Sequence, residues 1–324
     1  MKNKKKMFIF TEVILAILVI LVAFMMIQVK TGKKTDKISI IVQNSDDSQW
    51  SAFKYGLKMA AMDKNVEVFM VSTGAILTEE EQKKLIKQEI DSGADGIILQ
   101  PVSGKDSESM LRKFKKNVPL ILVESSVSTD ENSSGLPVME PDQYAMGRSL
   151  AEELLNDYNG NVKGKTLGLV YELADSEKTI NRRVGFEDAL EDKGIKICWS
   201  LNISSEEEWE SVLAAQTTVD FVAALDDASL TLAGKCSLEN NLHGSVVYGI
   251  GNSTDGVYYL EKNAVKCLVV PDEFMMGYES VSEIARSLQY SFRQPESRCL
   301  SYTILRKDQL FLKENQELLY MMSQ

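Results

Sequence analysis

Residues Gly93-Ala94-Asp95-Gly96-Ile97-Ile98-Leu99-Gln100-Pro101, continuing to Asp106, read as a helix end, a tight glycine turn, a short apolar strand and a polar loop that opens the next helix. A strand that is apolar at every position must be covered on both faces, and helices packed on both sides of a parallel sheet provide that cover. In an open sheet of this kind, ligands bind in the loops just past the carboxyl ends of the strands. Three other segments share the design: Ile38 to Trp50, Leu120 to Ser126 and Phe221 to Ser229.

The rest of the chain alternates in the same way. Strands are expected at 38–42, 66–71, 96–99 and 119–123, separated by helices up to Lys64, at 79–92 and at 107–116. The pattern restarts with a helix over 144–158, strands at 165–171, 196–201, 221–225 and 245–250, and helices at 182–193, 206–216 and 230–240. Alternation of this kind implies parallel sheets wound with right-handed crossovers. Glu80 to Leu99 and Glu206 to Leu225 also match in outline, each with an acidic helix start, an amphipathic helix, an aspartate (Asp95, Asp220) and an apolar strand. Two copies of one α/β unit, with a cleft at the strand ends of both, are the simplest account.

The first 37 residues stand apart. They hold eight lysines against Glu12 and Asp36, so the rest of the chain is more acidic than its overall net charge of −11. An acidic body excludes a nucleic-acid partner, which needs a basic face to neutralise phosphates. From Val13 to Ile27 the residues are apolar without a break, a length between a signal-peptide core and a full membrane span. The exit, Phe24-Met25-Met26-Ile27-Gln28-Val29-Lys30, has neither small residues for cleavage nor a cysteine for a lipid. An uncleaved single-pass membrane helix is expected, followed by a polar linker to residue 37. Four lysines on each side leave its orientation undecided by charge alone.

Catalytic signals fail on inspection. Gly160 to Thr166 resembles a phosphate-binding loop but is one residue short and precedes a strand. Gly249-Ile250-Gly251 lacks a third glycine, because position 254 is Thr. His243 sits in a polar turn without a base or nucleophile beside it. The pair Asp226-Asp227 suits general acid/base work but is explained more simply as a solvated helix start. The four cysteines, Cys198, Cys236, Cys267 and Cys299, include no close pair and have only His243 as a histidine partner, so no metal is expected. Disulfides and free thiols both remain open. No enzyme and no cofactor are indicated.

Seven segments occur in the order seen in type I periplasmic sugar-binding proteins, and the chain resembles that family over about 38 to 315. They are Ile38 to Ala61, Asp95 to Val102, Pro119 to Glu124, Asp142 to Arg148, Arg182 to Phe186, Ala223 to Asp227 and Pro271 to Tyr278. The resemblance implies two doubly wound parallel-sheet α/β lobes joined by a three-strand hinge, preceded here by the N-terminal transmembrane helix. The lobes are expected at 38–138 with 272–300 and at 139–271 with 301–324, with crossovers near 137–140, 269–272 and 301–305. The body is placed outside the cytoplasm. The related repressors carry a helix-turn-helix where this chain has its apolar run, which excludes a repressor.

In such clefts an aromatic ring stacks on the sugar while planar polar groups bond its hydroxyls. Carried over by motif, Trp50 (or Phe53) is the aromatic, with Asn44 and Asp46 in the loop before it. Ser103 and Glu124 follow the third and fourth strands. Arg182 matches the arginine that grips sugar oxygens, Asp226 the aspartate of the second lobe, and Asp272 stands at a crossover next to the cleft, where it contacts the ligand or serves the hinge. Ser103, Ser125, Leu225 and Gly251 depart from the family's usual residues, and each loss removes a hydroxyl partner. The implied function is capture of a small polar ligand, a sugar, for an ABC permease; the alternative partner is a membrane sensor kinase.

Overall fold

The computed structural model describes residues 15, 17–19, 35–46, 48–74, 77–102, 107–124, 135–172, 176–203, 208–290 and 293–323. Met1–Thr35 and Asp36–Gln324 are separate units. The expected transmembrane helix falls almost wholly outside the described residues, as do Ser103 and Ser125. Among the described residues no helix is long and apolar enough to cross a membrane.

Strands in the body are β1 (Lys37–Ile41), β2 (Glu67–Met70), β3 (Gly96–Leu99), β4 (Leu120–Val123), β5 (Val138–Pro141), β6 (Thr166–Glu172), β7 (Lys196–Ile203), β8 (Phe221–Ala224), β9 (Val246–Ile250), β10 (Cys267–Pro271), β11 (Arg298–Leu300) and β12 (Tyr302–Leu305). The helices are α1 (Ser51–Lys64), α2 (Glu79–Asp91), α3 (Ser107–Lys115), α4 (Gln143–Asp157), α5 (Glu177–Leu190), α6 (Trp209–Ala214), α7 (Asp227–Leu238), α8 (Thr254–Glu261), α9 (Glu273–Gln289) and α10 (Lys313–Met322).

Two six-stranded sheets result, ordered β11-β5-β4-β3-β1-β2 and β12-β10-β9-β8-β6-β7. The first is parallel throughout, and the second is parallel except for β12, which runs antiparallel to β10. The central strands β3, β4 and β8 are buried at every residue, whereas the edge strand β2 alternates in exposure. Successive side chains point to opposite faces. Ile38 and Ile40 accordingly join Phe53, Leu57, Met276 and Ile284 on one side, while Ile41 joins Ile86, Ile97 and Leu111 on the other.

Both lobes use the same fastening below their strands. The main-chain N–H of Lys37 donates to Asp95 Oδ2 at 2.9 Å, and that of Thr166 to Asp220 Oδ2 at 2.8 Å. The aspartate before the second central strand thus locks the first strand in each half. These are the two aspartates picked out by the internal similarity.

The chain passes between the sheets three times. Strand β5 ends at Pro141, beyond the boundary expected at 138/139, because its residues pair with β4 and β11. Asp142 then caps α4 of the other lobe, its Oδ1 accepting from the Ala145 N–H at 2.9 Å. The second passage repeats the pattern: β10 ends at Pro271, and Asp272 Oδ1 caps α9 by accepting from the Met275 N–H at 3.0 Å. The third lies at Ser301, whose Oγ donates to Asp272 Oδ2 at 3.2 Å.

In the first lobe α1 crosses α9, and in the second α4 crosses α5. A Cβ on Gly56 would lie 2.1 Å from Phe274 O, and one on Gly277 2.2 Å from Phe53 O. Gly147 and Gly185 stand equally close to Arg182 O and Tyr144 O, at 1.9 and 2.1 Å. Each crossing therefore brings two backbones into contact through a pair of glycines.

Candidate functional site

Residues that follow β4 and β1 meet residues that follow β6 and β9, so the carboxyl ends of the two sheets face each other across the cleft. Glu124, directly after β4, has φ 45°, a left-handed backbone that a residue with a long side chain rarely adopts. Its side chain is held from both lobes. Gln100 Nε2 donates to Oε2 at 3.0 Å, and Lys178 Nζ, from the first turn of α5, pairs with Oε1 at 2.8 Å. With side chains 12 % and 20 % exposed, Glu124 and Lys178 form a largely buried ion pair across the cleft. Gln100 is fixed in turn, its Oε1 accepting from the Gln43 N–H at 2.8 Å.

Arg182 lies one turn beyond Lys178 and is buried. Its Nε donates to Gln143 Oε1 at 2.7 Å and its Nη1 to Leu225 O at 2.9 Å. Arg183 faces the other way, over the Tyr171 ring and towards Glu187. Helix rotation decides between the two arginines, and it puts Arg182 inside.

The electrostatics follow from burial and neighbours. Burial pushes the Glu124 carboxyl up, but Lys178, Arg182 and the Gln100 hydrogen bond outweigh it and hold the group below the usual carboxylate range. Glu273, the first residue of α9, is buried too. Burial first, and the Glu124 charge second, push its carboxyl well above the usual range, against Lys178 and Arg182. Burial lowers the Arg182 guanidinium, opposed by Glu124, Asp226, Glu273 and Glu140.

The remaining expected site residues are placed as follows. Trp50 is only 2 % exposed; it packs against Phe53 and donates through Nε1 to Gln43 O at 3.1 Å. Asn44 has φ 47°, and its N–H donates to Gly74 O. Asp46 is exposed. Asp226 caps α7, with Oδ1 accepting from the Ser229 N–H at 2.9 Å and Oδ2 from the Glu172 N–H at 2.6 Å. Asp272 belongs to the hinge.

The Asp226-Asp227 pair is a helix start, but it is not solvated. Asp226 is buried, and Asp227 Oδ1 accepts from the N–H groups of Asn252 and Ser253, both at 2.9 Å. Packing of α7 against the sheet covers it.

Lys178, Gln100, Gln143 and Glu273 were not singled out from the sequence. Gln100, Gln143 and Glu273 lie inside segments that carried the resemblance, Gln100 directly past a strand end and Glu273 directly after a crossover aspartate; of the four, only Lys178 had no signal. A second bridge between the lobes, Asn252 Nδ2 donating to Gln49 O at 2.9 Å, had none. Beside the hinge a groove of about 800 Å³ is lined by Glu140, Gln143, Asn181 and Arg298 among others, and Gln143 joins it to Arg182. Among the described residues no group of His, Cys, Asp and Glu is arranged to hold a metal ion.

Residues 38–290 match the family described as periplasmic binding protein domain. No curated protein matches. Among solved structures, GanP, a glucose-galactose binding protein from Geobacillus stearothermophilus, is 20 % identical with a TM-score of 0.72, covering 86 % of this chain and 100 % of that one. A carbohydrate transporter solute binding protein from Agrobacterium Radiobacter, in complex with D-arabinose, is 18 % identical with a TM-score of 0.75, covering 89 % and 100 %. The XylFII-LytSN complex contains a chain that is 16 % identical with a TM-score of 0.71, covering 85 % and 99 %. At these identities the structures share the fold with this chain.

Proposed function

The chain belongs to the periplasmic binding protein domain family, and from that membership we propose that it captures a small polar ligand, a sugar, between its two lobes outside the cytoplasm and delivers it for ABC-type import. The observation that carries this reading is convergence. Glu124 and Gln100 from the first lobe meet Lys178 and Arg182 from the second at the strand ends of both sheets. Closure is a population shift, so a ligand favours it only by contacting both lobes. Guanidinium, amide and carboxylate groups held in fixed planes suit hydroxyl recognition. The sugars named for similar structures, glucose, galactose and arabinose, support the same class.

Within this reading Glu124 and Arg182 contact the ligand, and Asn44 and Asp46 guard the rim. Asp226 and Asp272 hold the frame, and the lobes swing at Asp142, Asp272 and Ser301. The lysine-flanked apolar run from Val13 to Ile27 supports a membrane anchor. The test is calorimetric titration of the detergent-purified full chain with D-glucose, D-galactose and D-arabinose. A saturable heat that Arg182→Ala weakens at least tenfold is the expected result. A flat titration with every sugar overturns the reading.

A further inference from the structure

Glu273 is 6 % exposed, and its Oε2 is buried without a hydrogen-bond partner among the described residues. The charged groups that face it are Glu124 from the first lobe, Lys178 and Arg182 from the second, and Asp272 beside it at the hinge. Around Arg182 stand Glu124, Asp226, Glu273 and Glu140. Two cations thus face five carboxyls, counting Asp272. A buried acceptor left unpaired is costly, and here it sits at the seam where a ligand would close the lobes.

The two cations are not equivalent. Arg182 is tied within its own lobe by Gln143 and Leu225 O. Lys178 reaches Glu124 across the cleft, on a flexible stem whose ammonium is still 20 % exposed with its side chain. An ammonium offers three donors and no acceptor, which suits a place bounded by the acceptors of Glu124 and Glu273. A neutral hydroxyl brings no positive charge to the Glu273 carboxyl, so the carboxyl keeps its proton.

We propose that the cleft takes a sugar bearing a protonated amine, whose ammonium replaces that of Lys178 at Glu124 and reaches the unpartnered carboxyl of Glu273. The proposal rests on the sugar-binding reading above. In the empty protein burial favours the protonated Glu273 carboxyl. Binding then balances as carboxylic acid plus ammonium giving a carboxylate–ammonium pair and one proton released to the buffer.

The test is calorimetric titration of the full chain at pH 7 with D-glucosamine and D-galactosamine, their parent hexoses and N-acetyl-D-glucosamine, in two buffers of different ionisation heat. At least one amine is expected to bind tenfold or more tighter than its parent, with proton release; the N-acetyl sugar, which has no charge, loses both. Glu273→Gln is expected to remove the preference and the proton release. Lys178→Met is expected to tighten amine binding severalfold, a gain that a misfolded variant does not give. Equal binding of amine and parent, or tighter binding of D-glucuronate, overturns the proposal and leaves the sugar reading standing. Absence of binding by any sugar overturns both.

Discussion

Glu124 and Glu273 are two carboxyls in one cleft, and pH acts on them in opposite directions. The pKa of Glu124 is depressed on folding, so its contribution is present above the ordinary carboxylate value of about 4.3 and is lost as pH falls through its folded value. The pKa of Glu273 is raised, so the folded state holds a proton that the unfolded chain releases, and stability falls as pH climbs above that ordinary value. Thermal unfolding of Glu273→Gln beside the wild type should therefore show a Tm advantage for the variant that widens from pH 5 to pH 8. The thiols separate in a similar way. Burial pushes Cys236 up to about 11 and Cys267 up to about 12, while Cys198 and Cys299 are exposed. All four are free, and mass spectrometry after brief alkylation at pH 7.5 should find label on Cys198 and Cys299 and on the other two only after denaturation. At this scale the sequence was least legible. Trp50 and Asp226 stand where the motifs put them, yet their hydrogen bonds point into the core and into a helix cap, because a motif fixes position along the chain and not the rotamer. Lys178 had no signature, since a lysine in the first turn of a helix is ordinary until the opposite lobe brings Glu124 to it.

The helix crossings show what several of the motif residues do. Gly147, Gly185 and Gly277 lie in three of the seven segments that carried the resemblance, and each lets one helix backbone touch another. Adding a methyl group forces the pair apart, an overpacking cost of about 1–3 kcal/mol. Gly277→Ala should lower stability by about that amount, measured by denaturant unfolding, with little effect on a ligand. Gly147→Ala should cost a similar amount and also weaken binding, because its methyl group would press on the backbone of Arg182. Elements with strong local patterns were readable, among them β3, β4, β8 and α2, the last opened by the Thr78–Glu81 capping box. The start of α5 was missed by five residues: Ser176, whose Oγ accepts from the Thr179 N–H at 3.2 Å, caps the helix well before its apolar face begins. Strands β5, β10 and β12 were read only as crossovers near 137–140, 269–272 and 301–305, and β11 was not read at all: it is three residues long and pairs with β5, far away in the chain, so nothing local marks it.

The body as a whole is legible because the same frame occurs twice. Apolar strands, a locking aspartate and a glycine crossing recur in each half, and the two Pro-Asp passages repeat one hinge design. At the third passage Asp272 and Ser301 hold two connections together, so Asp272→Ala should cost about 1 kcal/mol for the lost cap. It should also loosen the hinge, visible as a larger radius of gyration of the unliganded protein by small-angle scattering. The Lys178–Glu124 bridge has one more consequence. Its ammonium is tethered, so diluting the protein does not dilute the rival: a side chain held this way acts at an effective concentration of order millimolar. A ligand that takes the place of the Lys178 ammonium at Glu124, as proposed above, would compete with a rival whose local concentration is fixed by the fold.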